Sequence, residues 1–176
     1  MDTRGARPDG READLMPTGQ LYWRAVEPIW RKVSIYDGSE KFIRQFCSVT
    51  RAQAHLLAVH WCLSEVSNGG FAQFFYNDTG VLAPESAAGF EFAGLKNGAE
   101  IVRKALSFFG AHYPRDREER NALLESAAKR KKAGGARLSL AALDRKLYAW
   151  DKKDNVAAAL DQFVFRNADL FFREST

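Results

Sequence analysis

Apolar residues recur at intervals of three and four along most of the chain, the spacing that gathers them on one face of an α-helix. From Leu21 to about Ile35 the apolar positions are Tyr22, Val26, Ile29, Trp30 and Val33. Pro28 falls inside this run and is expected to break or kink it, because proline has no N–H to donate. Asp37-Gly38-Ser39 reads as a turn, with Ser39 as the cap of a helix carrying Phe42, Ile43 and Phe46. Thr50 and Gln53 have capping-box spacing and open the strongest helix of the chain. Its stripe is Leu56, Val59, Leu63 and Val66, and Asn68-Gly69-Gly70 ends it, since glycine tolerates the left-handed backbone after a helix.

An aromatic segment, Phe71 to Tyr76, follows, then a turn at Asn77-Asp78-Thr79-Gly80. Pro84 suits the first turn of another helix. Gly94, Gly98 and Gly110 punctuate the next stretch, with Ile101, Val102, Ala105, Leu106 and Phe109 forming a helix face between the last two. Pro114 precedes a charged helix from about Asp116 to Lys131, and Gly134-Gly135 breaks the chain again. Ser139 is placed to cap a helix with Leu140, Leu143, Leu147 and Trp150 in register. A last helix is expected from about Asn155 to Phe172, with Val156, Leu160, Phe163, Val164 and Phe171 inward. Residues 1–17, polar and without periodicity, read as a mobile tail, and residues 18–176 as one domain. No stretch reads as a strand. The expected architecture is all-α, a single multi-helix domain of about seven to nine helices rather than a simple four-helix bundle.

Composition agrees with one globular domain. The chain has 176 residues, 46% of them apolar and 27% charged, which excludes a mostly disordered, collagen-like or membrane-spanning chain. The first residues contain no apolar run of the secretory type, so a cytoplasmic setting is expected, with Cys47 and Cys62 reduced. The net charge of +4 is unevenly spread, because residues 115–153 alone carry a net +6. Arg115 and Glu119, Asp116 and Arg120, and Glu125 and Lys129 are each four apart and suited to pair along a solvated helix face. The alternative is nucleic-acid binding through this basic segment, with Lys129, Arg130, Lys131 and Lys132 as its densest phosphate-contacting cluster. No aromatic residue lies within that cluster to stack on bases, and cations at a helix C-terminus also answer the helix dipole.

The most distinctive chemistry lies in Glu65 to Asn77, where amides and a carboxylate stand beside four aromatics at two helix ends. One reading is a small-molecule pocket with Glu65, Asn68, Gln73 and Asn77 pointing inward. The other is structural. In it Asn68 and Asn77 satisfy helix termini, Gly69 and Gly70 make the turn, Phe71, Phe74 and Phe75 fill the core, and Glu65 bonds backbone N–H groups or a nearby amide. No catalytic motif points to an enzyme. Gly69-Gly70 lacks phosphate-loop spacing. His55 and His60 are about 140° apart around a helix and do not share a face, and the two cysteines lack zinc-ligand spacing. No metal and no cofactor are expected.

The run Glu65, Asn68-Gly69-Gly70-Phe71, Gln73-Phe74-Phe75, Asn77 and Gly80 resembles the signature of a bacterial DNA-mimic-protein family, a helical domain of otherwise unknown function. Pro84-Glu85, Gly94 and Ala99 sit where that family continues. Asp144, Leu147-Tyr148 and the stretch from Leu160-Asp161-Gln162-Phe163 to Asn167 resemble its C-terminal helices. The resemblance spans about residues 20–172. It implies an all-α fold, a bacterial cytoplasmic protein and no cofactor; together with the absence of a catalytic motif it leads to the expectation of a non-enzymatic module that binds another protein, a transcription factor or a toxin-like partner, away from membranes. Mimicry of duplex phosphates requires a dense array of carboxylates, and this chain departs from that with a pI near 9.1.

Overall fold

The computed structural model describes residues 4–132 and 139–173. Among them are nine α-helices: α1 (Gly10–Leu15), α2 (Gln20–Trp30), α3 (Ser39–Phe46), α4 (Arg51–Tyr76), α5 (Ala83–Phe92), α6 (Lys96–Leu106), α7 (Arg117–Lys132), α8 (Leu140–Asp154) and α9 (Val156–Arg166). The expected all-α class is what the chain adopts. Gly134-Gly135 lies outside the described residues.

Helix α4 is the centre, and α2, α5, α7 and α8 all pack on it. Thr50 caps it: the Gln53 N–H donates to the Thr50 hydroxyl at 3.3 Å, and that hydroxyl turns to Gln53 Oε1. Leu56, Val59 and Val66 of the expected stripe are fully buried. So are Leu57 and Ala58, because a helix surrounded by others buries more than one stripe. The sequence marks a stop at Gly69-Gly70, and the helical backbone is interrupted there. Gly69 and Gly70 both leave helical angles, and a second helical segment runs on to Tyr76. Phe71, Phe74 and Phe75 enter the core from this second segment with no exposed surface.

Several elements differ from the sequence reading. Helix α2 ends at Trp30 rather than near Ile35, two residues after Pro28, whose missing N–H leaves the Arg24 carbonyl without its intrahelical donor. Gly98 is no break. It lies in the first turn of α6, where a Cβ would come within 2.6 Å of the Trp150 ring and 2.9 Å of Phe90. The absence of a side chain therefore serves close packing of α6 on α8. The last helix stops at Arg166, and a 3-10 turn at Ala168–Leu170 swings the chain so that Phe171 and Phe172 both reach the core. Ser139 sits at the N-cap of α8, but its hydroxyl makes no capping bond. At α3 the cap position is Gly38, and the helix begins at Ser39.

A strand pair, unexpected from the sequence, closes the molecule. β1 (Gly5–Ala6) runs parallel to β2 (Phe172–Arg173), pairing Gly5 with Phe172 and Ala6 with Arg173. Residues 4–17, read as a tail, thus carry regular elements laid against the C-terminal end. Arg7 meets Asp169 at 2.7 Å, and Arg24 of α2 pairs with Glu12 of α1. Two residues per strand are too few to show as an alternation in sequence.

Phe74→Ala removes a fully buried ring at the junction of α4 with its neighbours. It is expected to lower the unfolding free energy by about 3–5 kcal/mol in denaturant titration.

Candidate functional site

The interruption in α4 leaves peptide groups that a continuous helix would pair internally. Gly70 holds φ +79° and ψ 179°, a backbone that L side chains rarely adopt. A Cβ there would also sit 2.5 Å from the Asp144 carboxylate. The Phe71 N–H, which an unbroken helix would direct at the Ser67 carbonyl, donates instead to Asp144 Oδ1 at 2.8 Å. Asp144 therefore acts as the N-cap of the second segment, supplied by α8 rather than by the local chain. One turn further along α8, the Tyr148 hydroxyl donates to the carbonyls of Val66 at 2.5 Å and Ser67 at 3.2 Å. Two residues four apart on one helix thus straddle the break, one serving each side of it. Partial burial raises the Asp144 pKa, and the Phe71 N–H works in the opposite direction.

Glu65 ties the two segments together. Its carboxylate accepts from Gln73 Nε2 at 3.0 Å, Asn77 Nδ2 at 2.9 Å and the Thr79 hydroxyl at 2.8 Å. Gln73 and Asn77 reach it because they are one helical turn apart on the same face. Glu65 is only 8% exposed, so the three donors replace water around a buried charge. Asn68 is exposed and takes no part in this cluster. The structure thus brings together Glu65, Gln73 and Asn77, adds Thr79, and leaves Asn68 facing out. Gly80 lies beneath, where a Cβ would press on the Phe74 carbonyl at 2.6 Å.

The far end of α4 is held by arginines of α7 and its approach. Arg120 is fully buried, and its guanidinium donates to the carbonyls of Phe75 at 2.9 Å, Asn77 at 3.0 Å and Arg115 at 2.6 Å. Arg117 donates to the Tyr76 carbonyl at 3.1 Å and pairs with Asp78. Arg115 forms a bidentate pair with Glu85 of α5 at 2.6 and 2.7 Å. Three successive carbonyls, 75 to 77, therefore meet cations at a helix C-terminus, where the dipole favours positive charge. Desolvation lowers the Arg120 pKa.

Most described charged side chains of the basic segment are exposed, as a solvated face requires, but the pairings expected along it are corrected. Arg115 turns to Glu85 rather than Glu119. Arg120 turns to backbone rather than to an ion pair with Asp116, and Glu125 and Lys129 form no ion pair among the described residues. A sequence signal for Arg120 did exist. It stands four and seven residues before Leu124 and Ala127, the inward-facing positions of α7. Of the Lys129 to Lys132 cluster, Lys129 is exposed, and the side chains of Arg130, Lys131 and Lys132 lie outside the described residues.

The remaining candidates are placed as follows. Cys62 is buried and its thiol is pushed up to about 12 by desolvation, while Cys47 is exposed. His60 lies among Trp23, Trp30 and Trp61, with its Nδ1 3.2 Å from the Tyr22 hydroxyl. Burial lowers its pKa to about 4. No group of three or more His, Cys, Asp or Glu among the described residues is arranged to hold a metal ion, and none of their helices is long and apolar enough to cross a membrane.

Fold and site together define a helical domain organised around an interrupted central helix, with its distinctive polar residues spent on the interruption. Residues 47–167 match the family described as DMP19-like protein, and the chain belongs to that family. The matched span runs from just before α4 to just after α9 and takes in Glu65, Asp144, Tyr148 and Arg120. Comparison with curated proteins and with solved structures gave no match.

Glu65→Leu removes the acceptor shared by the Gln73 and Asn77 amides and the Thr79 hydroxyl. It is expected to cost about 1–3 kcal/mol of stability, whereas Asn68→Ala stays within about 0.5 kcal/mol, both read by denaturant unfolding. A second expectation concerns pH. His60 has a folded-state pKa near 4 against an ordinary histidine value of 6.5, so the unfolded chain binds more protons between those values. Its contribution is complete above pH 6.5 and is lost as pH falls toward 4. The melting temperature should drop over that window, and His60→Gln should make the drop shallower.

Proposed function

We propose that the protein is a non-enzymatic interaction module that binds another protein, a transcription regulator or a toxin-like partner, through the outer face of the broken helix and α8. The observation that carries this reading is how the motif's polar groups are used. Glu65, Gln73, Asn77 and Thr79 bond to one another, and Asp144, Tyr148 and Arg120 bond to backbone around them. Such a cluster builds a shape and leaves few groups to act on a substrate. What faces outward is Asn68, Ala72 and Tyr76 on the two segments of α4 and the Tyr148 ring on α8, with Tyr76 48% and Tyr148 43% exposed. Half-exposed tyrosines on rigid helices are favourable contact residues, because little side-chain freedom is lost on binding. Membership of the DMP19-like family supports the same reading. The net charge of +4 speaks against copying duplex DNA as the mode of recognition.

The test is capture of partners from native extract on the tagged protein, with and without nuclease, read by mass spectrometry. A protein partner should survive nuclease. It should be lost with Asn68→Arg, a change at an exposed position that leaves the melting temperature unchanged. A partner released by nuclease, or retained equally by Asn68→Arg, would overturn the assignment of this face.

A further inference from the structure

Away from the broken helix, the segment after α2 forms a cleft of about 220 Å³ with α4. One wall is a pair of stacked indoles, Trp30 and Trp61, with centroids 4.4 Å apart and an interplanar angle of 19°. Trp30 is buttressed edge-on by Trp23 and His60, so this wall is rigid. Leu57 contributes apolar lining, and Tyr36 completes the cleft. Tyr36 is 80% exposed, the largest exposure of any large apolar side chain among the described residues.

Tyr36 is exposed by construction rather than by looseness. Its neighbours Val33 and Ile35 are buried at 9% and 5%, pinning the segment on both sides of Ser34. The Ser34 N–H donates to Gln45 Oε1 of α3 at 3.0 Å, and the Asp37 N–H donates back to the Ser34 carbonyl. A large aromatic ring held outward on an anchored segment, lining the same cleft as two stacked indoles, offers a place for a planar group.

The charges on the rim narrow the occupant. Arg31 pairs with Glu27, and Asp37 pairs with Lys41. Lys32 also lines the cleft, is exposed, and has no ion pair among the described residues. One free ammonium beside an aromatic slot complements a single negative charge on a planar ring. The volume falls below the roughly 300–1,000 Å³ of pockets for larger ligands, which restricts the ligand to about one ring system. We propose that this cleft is a binding site for a small aromatic carboxylate, its ring between Tyr36 and the Trp30–Trp61 wall and its carboxylate at Lys32. Most of the residues that form it precede the span matched to the family, so the site goes beyond the interaction reading above.

Phenylacetate is the probe, with phenylacetamide as the neutral analogue and cyclohexylacetate as the non-planar one. Binding is followed by the indole N–H signals of Trp30 and Trp61 in the ¹⁵N-labelled full chain. Phenylacetate should shift both signals saturably and bind at least about tenfold more tightly than either analogue. Lys32→Gln and Tyr36→Ala, both at exposed positions, should each weaken it by about tenfold at an unchanged melting temperature. The proposal is overturned by no saturable shift, by equal binding of phenylacetamide, or by Lys32→Gln binding as the parent does. Tighter binding of adenosine monophosphate than of phenylacetate would also overturn it, in favour of a nucleobase slot.

Discussion

Everything in the central layer depends on how the peptide groups at the Gly69–Gly70 interruption are satisfied. A buried helix that stops and restarts exposes unpaired N–H and C=O groups to an apolar interior, at a cost of about 1–3 kcal/mol for each one left unpaired. Here several of the polar groups along α4 find partners on other helices, at the break and again at its C-terminal end. Asp144 takes the Phe71 N–H, Tyr148 takes the Val66 and Ser67 carbonyls, and Arg120 and Arg117 take the carbonyls at 75 to 77. Helix α8 thus docks on the interruption and α7 on the C-terminal end of α4. The break is the joint around which the domain is assembled.

The same constraint explains an otherwise odd use of charge. A basic stretch usually solvates a surface, yet Arg115 and Arg120 turn to a carboxylate and to backbone carbonyls, and the exposed Arg117 reaches back to the Tyr76 carbonyl. Arginine suits this task because its planar guanidinium presents several donors at fixed angles, which lets Arg120 reach the end of α4 and the Arg115 carbonyl at once. Glu65 is the acidic counterpart, a buried carboxylate surrounded by three uncharged donors. Neither group relies on a direct ion pair with the other. Both are neutralised by dipoles, which keeps the joint specific in geometry. The surface outside the joint is then free to be chosen for binding.

Much of this was legible from residues alone. The period of three to four located α4 and α8, Thr50 and Gln53 marked a helix start, and Gly69-Gly70 marked the interruption. A nearby amide was one of the partners read for Glu65, and the structure supplies two, Gln73 and Asn77. Arg120 was not read as buried, because its local pattern fits a solvated helix equally well, and only the approach of α4 removes its water. The N-terminal strand pairing escaped for a related reason. Gly5 and Ala6 carry no pattern of their own and are ordered by Phe172 and Arg173, far away in sequence.

The sequence by itself determined which stretches become helices, though not every end of them, because backbone propensity, apolar period and capping act over about four residues. Only the tertiary structure decided what the polar residues are for. Whether Glu65 lines a pocket or ties a joint, and whether Arg120 meets water or carbonyls, depends on which helix packs against it. That in turn depends on long-range burial, which no local pattern encodes.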